Sequence, residues 1–255
     1  MTLRLEKTGR VAHLVIDRAD KRNAFTQEMW EMLPGLLDQA MQDDDVRCMM
    51  LRASARDSAF CAGADIKEFA TGARDADWRA RNQAAINRVQ HELARAAKPT
   101  IAVIDGDCVG GGCGLSLACD FRVAGPKARF GITPSKLGLV YPLHDTKLLV
   151  DLVGPSQAKR MLFTGQLLSA KEALSIGLIT MLEDDPHQAA DQLAQTLTET
   201  SLHSQTMSKA IIGKVLDGQV DDDDETRRLF DQAFWGTDFD EGVSAFLEKR
   251  KPQFK

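Results

Sequence analysis

The chemistry of this 255-residue chain is carried first by glycine and backbone. In Val103-Ile104-Asp105-Gly106-Asp107-Cys108-Val109-Gly110-Gly111-Gly112-Cys113-Gly114, three consecutive glycines follow an apolar β-branched run, Thr100 to Ile104, and precede a second apolar stretch, Leu115 to Cys119. The pattern reads as strand, tight turn, helix start. Glycine is needed where φ is positive or where a ligand approaches the backbone closely. The first N–H groups of a helix lack intrahelical partners and carry its positive dipole end. Such a turn suits a negatively charged oxygen. On spacing alone a close-packed turn without a ligand fits equally well. A second Gly/Ala-rich turn, Phe60-Cys61-Ala62-Gly63-Ala64-Asp65-Ile66-Lys67, follows an earlier strand.

The surrounding elements alternate. Leu3 to Glu6 and Val11 to Ile16 read as a hairpin about Thr8-Gly9-Arg10, and Asp17 to Asn23 as a charged loop. Thr26 reads as an N-cap, and its helix, with Met29, Trp30, Leu33, Leu36 and Leu37 on one face, is expected to kink or break at Pro34. Val46 to Leu51 is the next strand, and a polar helix runs from about Asp77 to Ala97. Cys119 to Ala124 and Arg129 to Ile132 are further strands. The order βαβαβαβ favours an α/β layered core with a largely parallel sheet. From Gly154 onward the signal is almost wholly helical, ending in a stripe of Phe239, Val243, Phe246 and Leu247.

Composition narrows the class. An apolar fraction of 44% supports a full core, and a net charge of −5 argues against nucleic acid or an anionic membrane as partner. No stretch approaches the roughly 20 apolar residues of a membrane span, and Met1 to Lys7 lacks the apolar core of a signal peptide. The five cysteines, odd in number and without CxxC spacing, read as reduced thiols, so a cytoplasmic location is expected. The five histidines form no HxxxH or HxH pair, and no metal is expected.

Cys61 to Glu68 and Gly110-Gly111-Gly112-Cys113 resemble the two signature turns of the crotonase (enoyl-CoA hydratase/isomerase) superfamily. The resemblance extends through Asp20-Lys21-Arg22-Asn23-Ala24-Phe25, Lys98-Pro99, Phe163-Thr164-Gly165, Ala173 to Gly177, Glu241-Gly242 and Ala245 to Pro252. It implies a crotonase-like spiral core of repeated ββα units over residues 1–195 and a C-terminal helical oligomerisation domain over 196–255, in a homotrimer or a hexamer built from two trimers. It implies an acyl-CoA thioester as substrate, with coenzyme A part of the substrate and no separate cofactor. By motif position, the backbone N–H groups of Ala64 and Gly111 hold the thioester oxygen. The CoA positions are Lys21, Arg22, Ala24, Ala62, Asp65 and Ile66, with Phe246 and Lys249 of a neighbouring subunit as further candidates. As first-turn acids, Asp65 and Glu68 also suit a structural role.

The catalytic acids of the family are missing. Its hydratases carry one glutamate directly after the Gly-Gly-Gly-Cys turn, where this chain has Gly114, and another four residues after the phenylalanine of the short strand, where it has Pro134. An acid used by other branches falls at Pro142. Hydration requires groups that activate water and deliver a proton, so decarboxylation or double-bond isomerisation is favoured. The run Phe130 to Tyr141 is most like the methylmalonyl-CoA decarboxylase branch, although that branch has a histidine at the Ala64 position and keeps a glutamate at the Gly114 position. Tyr141, the only tyrosine, and His144 are the candidate proton-handling groups, and Asp145 reads as the N-cap of a helix from Thr146 to Val153. Two alternatives stand: a hydratase using another acid or a bound water, and a CoA-thioester-binding protein without catalysis.

Overall fold

The computed structural model describes residues 2–254. A hairpin of β1 (Leu3–Thr8) and β2 (Val11–Ile16) opens a six-stranded sheet. It continues in parallel through β3 (Cys48–Ala53), β4 (Thr100–Ile104), β6 (Phe121–Ala124) and β9 (Met181–Leu182). A smaller sheet joins β5 (Asp107–Val109), β7 (Arg129–Gly131) and β8 (Leu168–Ser169). Each turn of the chain lays one strand in the large sheet and a short extended segment in the small one. Thus β3 leads to Cys61, which bridges Cys108; β4 leads to β5, and β6 to β7. This is the crotonase spiral.

The helices close both faces of the large sheet. On one side lie α1 (Gln27–Gln42), α2 (Ile66–Gly72), α3 (Ala76–Ala94), α4 (Gly111–Leu117) and α5 (Leu143–Thr164), with the main core between them. The short α6 (Ala170–Ser175) follows β8. On the other side α7 (Pro186–Thr198) sets Ala189, Ala190 and Ala194 on Cys48, Met50, Ile101, Val103 and Val123. Alternate residues of β3 and β4 therefore serve opposite cores, which is why Thr100 to Ile104 is buried throughout. The expected division at 195/196 falls inside α7.

Two sequence expectations are corrected. α1 begins at the expected cap, Thr26, but continues through Pro34. The packing of Trp30, Leu33 and Leu37 outweighs the one backbone bond that proline removes. α5 starts at Leu143, with Pro142 rather than Asp145 in the cap position; its first segment ends at Val153 as expected, where Gly154 (φ 72°, ψ 166°) leaves helical geometry, and a second helical segment runs on to Thr164. Asp145 is thus inside the first turn, its carboxyl turned inward.

The C-terminal helices α8 (Leu202–Leu216), α9 (Asp224–Ala233) and α10 (Thr237–Leu247) and their links leave much apolar surface open, including Val220 (91% exposed) between α8 and α9, Trp235 (89%) between α9 and α10, and Phe246 (83%) on α10. Among the described residues no helix is long and apolar enough to cross a membrane.

Candidate active site

The two glycine turns lie against one another. In the first, the Phe25 N–H donates to the Gly63 carbonyl and the Asp65 N–H to the Phe25 carbonyl, both at 2.8 Å. Phe25 therefore pairs on either side of Ala64, and the Ala64 N–H points the opposite way. The Ala62 N–H donates to the Arg22 carbonyl (3.0 Å), and the Val109 N–H to the Cys61 carbonyl (2.9 Å), so the turn is tied to both the early loop and β5. In the second turn the Gly110 N–H donates to the Gly131 carbonyl (2.8 Å), which fixes the approach to α4. The buried guanidinium of Arg122 donates to the Ser116 and Cys119 carbonyls (3.1 and 2.6 Å) and so holds the other end of α4.

Glycine is required at the contact between these turns. Gly63 has φ +98°, and a Cβ there would stand 3.0 Å from the Val109 carbonyl oxygen and 3.4 Å from the Gly111 nitrogen. A larger residue would push apart the two backbone segments that carry the N–H groups of Ala64 and Gly111.

Ala64 and Gly111 open on one cavity of about 580 Å³. Its walls come from α1 (Trp30), α2 (Phe69), α3 (Trp78, Asn82, Ile86), the loop from Pro134 to Pro142, and the first turn of α5. Phe69, Trp78 and Leu139 form walls rather than a plug, with the Phe69 and Trp78 rings edge to face at 5.8 Å.

Neither Gly114 nor Pro134 brings a carboxylate to the cavity. A Cβ on Gly114 would lie 2.4 Å from the Gln90 amide and 3.0 Å from the Tyr141 hydroxyl. In its hydrogen-bonded orientation the Gln90 amide donates to the Gly114 carbonyl (2.7 Å) and accepts from the Leu115 N–H (3.3 Å). The space that a side chain at 114 would enter is filled by Gln90 and Tyr141. Pro134 lines the wall and offers no ionisable group.

The inward carboxyl is that of Asp145, a cavity residue only 3% exposed. Burial pushes its pKa up to about 7. Tyr141 lines the same wall, and burial, followed by the charge of Asp145, holds its phenol well above the usual range. The Tyr141 hydroxyl and Asp145 Oδ1 are both buried without a hydrogen-bond partner. His144, one residue earlier on α5, is not on the cavity wall; its ring lies 5.6 Å from that of His91 on α3, and burial lowers its pKa. The structure therefore brings Ala64, Gly111 and Tyr141 together and leaves His144 behind them. Asp145 was missed as a wall residue, yet a signal was present. It precedes the fully buried Leu149 by one helical turn and so falls on the inward face of α5.

The early basic loop adjoins the first turn. Lys21 is exposed beside Asp20 (3.7 Å), and Arg22, with φ +54°, pairs with Asp107 at the start of β5. Arg129 also pairs with Asp107 (2.7 Å). Ala24 accepts from Arg18 (2.8 Å), whose guanidinium also meets Asp65 at 2.7 Å. The Asp65 carboxylate caps α2 through the Lys67 and Glu68 N–H groups, with Ile66 opening the helix, and Glu68 accepts from the Gln27 N–H (2.8 Å). Phe246 and Lys249 lie at the end of α10, outside the cavity wall. The five cysteines are buried and unpaired, and burial pushes Cys48, Cys61 and Cys119 up to about 12.

Residues 6–255 match the family described as enoyl-CoA hydratase/isomerase. A 1,2-epoxyphenylacetyl-CoA isomerase of Escherichia coli is 34% identical over 96% of this chain and 94% of its own length. A probable enoyl-CoA hydratase of Mycobacterium bovis is 31% identical over 99% and 97%. The crystal structure of an enoyl-CoA hydratase/isomerase family protein from Hyphomonas neptunium superposes with a TM-score of 0.96 at 38% identity, covering 100% of this chain and 98% of that one. Spiral fold, paired glycine turns and full-length similarity agree, and the chain belongs to the enoyl-CoA hydratase/isomerase family, whose members act on CoA thioesters.

Proposed function

We propose that this protein is an acyl-CoA lyase or isomerase that stabilises a thioester enolate between the N–H groups of Ala64 and Gly111, and that it favours decarboxylation or double-bond migration over hydration. The observation that carries this reading is the packing at Gly114. Gln90 and Tyr141 fill the place of one hydratase carboxylate, and proline stands at the place of the other. Addition of water needs both a base for the water and an acid for the carbon. Enolate formation needs pre-aimed donors above all, and one such donor is typically worth about 3 kcal/mol of barrier. Backbone N–H groups held by the Phe25 and Gly131 pairings are donors of that kind.

The CoA moiety runs along the first turn, with Lys21 and Arg22 toward its phosphates and the backbone at Ala24, Ala62, Asp65 and Ile66 along its length. The Asp65 carboxylate remains engaged with Arg18 and α2. Phe246 and Lys249 of a neighbouring subunit complete the cover, and the apolar surface of α8 to α10 supports a trimeric assembly.

The test is incubation in D₂O with but-3-enoyl-CoA, methylmalonyl-CoA and crotonyl-CoA, followed by mass spectrometry of the products. Conversion of the first to crotonyl-CoA, or loss of CO₂ from the second with one deuterium gained beside the thioester, supports the proposal. Rapid addition of water to crotonyl-CoA as the principal reaction refutes it in favour of a hydratase with a relocated acid. Binding of all three thioesters without turnover refutes it in favour of a non-catalytic binding protein.

A further inference from the structure

We propose that Asp145 is the catalytic proton carrier of this site, acting from the first turn of α5 with the Tyr141 hydroxyl beside it. The inference rests on the enolate reading above and assigns the group that makes and unmakes the enolate.

Three observations converge on it. Asp145 lines the cavity that Ala64 and Gly111 also line, so it and the two residues of the proposed oxyanion donors border one space. It is almost fully buried, its Oδ1 has no hydrogen-bond partner, and it does not cap its helix. Among the described residues no cation pairs with it. A carboxyl in that setting is costly to the fold, and the first-turn helix dipole offsets only part of the cost, with no hydrogen bond to Oδ1 and no ion pair. Finally, the Tyr141 hydroxyl is buried and unpartnered on the same wall, close enough to Asp145 to feel its charge.

The surrounding titratable groups do not replace it. Arg79 of α3 lines the cavity but donates to the Ala73 carbonyl at 2.6 Å. Cys113 of α4 and Cys108 of β5 lie behind Tyr141 in the core. His144 and Lys147 belong to other faces of α5, Lys147 being paired with Asp151 at 2.7 Å. Burial holds the Asp145 carboxyl near 7, where acid and base forms are both populated at neutrality.

The step balances without an added reagent. For a β,γ-unsaturated thioester, the Asp145 carboxylate takes the proton from the carbon next to the carbonyl. The C–H electron pair moves toward the carbonyl and onto the oxygen held by Ala64 and Gly111. The protonated Asp145 then delivers that proton to the γ carbon. The oxygen's charge returns, and the double bond lies conjugated with the thioester. One carboxyl takes and returns the same proton, so no second acid is needed.

The experiment compares the wild type with Asp145→Asn and Tyr141→Phe on but-3-enoyl-CoA and methylmalonyl-CoA in D₂O. Each variant is checked for retained folding by thermal denaturation and for binding of a CoA thioester by calorimetry. A loss of at least about 100-fold in proton transfer for Asp145→Asn, with binding kept, is expected. Tyr141→Phe should lose less and keep the wild-type pH inflection. The wild-type rate on but-3-enoyl-CoA, where the carboxylate is the base, should rise with pH through an inflection near 7, a reading that requires no variant. Wild-type turnover that survives Asp145→Asn within threefold, or a rate that is flat from about pH 5 to 9, overturns Asp145 while leaving the enolate reading standing. A wild type that transfers no proton on either substrate overturns both.

Discussion

Asp145→Asn should stabilise the fold, and the gain should depend on pH. The carboxyl is held at about 7 against an ordinary 3.8, with burial as the cause. At about 1.4 kcal/mol per pH unit, the ionised form costs the folded state about 4 kcal/mol as an upper limit. Water entering the cavity on ionisation relaxes part of that, and about 2 kcal/mol is the expected gain at pH 8. For a chain of this size that is about 4–8 °C in Tm. The sign follows from proton counting. Between about pH 4 and 7 the folded chain holds a proton that the unfolded chain has lost, so this group's contribution falls as pH rises across that window and is level above it. Asparagine imitates the protonated carboxyl in shape and charge, so wild type and variant should be alike near pH 4.5 and diverge up to about pH 8. Titration of His13 and His144, both lowered by burial, occurs in both proteins and cancels in the difference. Urea denaturation of the two proteins at equal concentration from pH 4.5 to 8.5 measures it directly. A difference that does not change with pH, or a less stable variant at pH 8, would refute the claim that the carboxyl is buried without compensation.

Three further outcomes follow from the geometry. Gly114→Ala puts a Cβ 2.4 Å from the Gln90 amide and 3.0 Å from the Tyr141 hydroxyl, and should cost about 1–3 kcal/mol in chemical denaturation, because Gln90 must give up its bonds to the α4 backbone. Arg22→Ala should weaken CoA-thioester binding about tenfold in calorimetry at low salt and less at high salt, while the fold is kept because Arg129 still neutralises Asp107; an unchanged affinity would remove Arg22 from the phosphate path. Trp235→Asp, in the exposed turn between α9 and α10, should lower the mass found by light scattering toward that of one chain, and an unchanged mass would place the subunit contact elsewhere.

The parts of the site that are legible in the sequence are those made of backbone. A positive φ at Gly63 and the close approach at Gly111 can be met only by glycine or something near it, so the two turns leave a local signature. The strands behind them are equally visible, since Thr100 to Ile104 is buried on both faces and reads as an unbroken apolar run. Side-chain placement was less legible. A shift of a few residues in the start of α5 changes Asp145 from a cap to a cavity wall, and a proline at 142 does not announce which. The contact between Gly114 and Tyr141 joins residues from separate turns of the spiral, and no local pattern encodes it. Gly114 by itself reads as a missing acid; only the packed neighbours show that the place has been filled.

This separation explains how the chemistry of the site can move while the fold does not. The proposed oxyanion donors depend on the pairing of Phe25 with residues 63 and 65 and of Gly110 with Gly131, bonds that no side chain in the cavity takes part in. The walls, by contrast, come from α1, α2, α3, the 134–142 loop and α5, each of which can present a side chain toward the same thioester. Any of them can present an acid to the thioester without disturbing the donors. A helix is the better new home for a proton carrier than the loop, because its first turn fixes the carboxyl's direction, and the buried Leu149 below anchors that turn. The cost is an unpaired buried carboxyl. A stability penalty that disappears on Asp145→Asn together with proton transfer would tie the two to one group, since a residue kept for structure alone would lose stability on replacement.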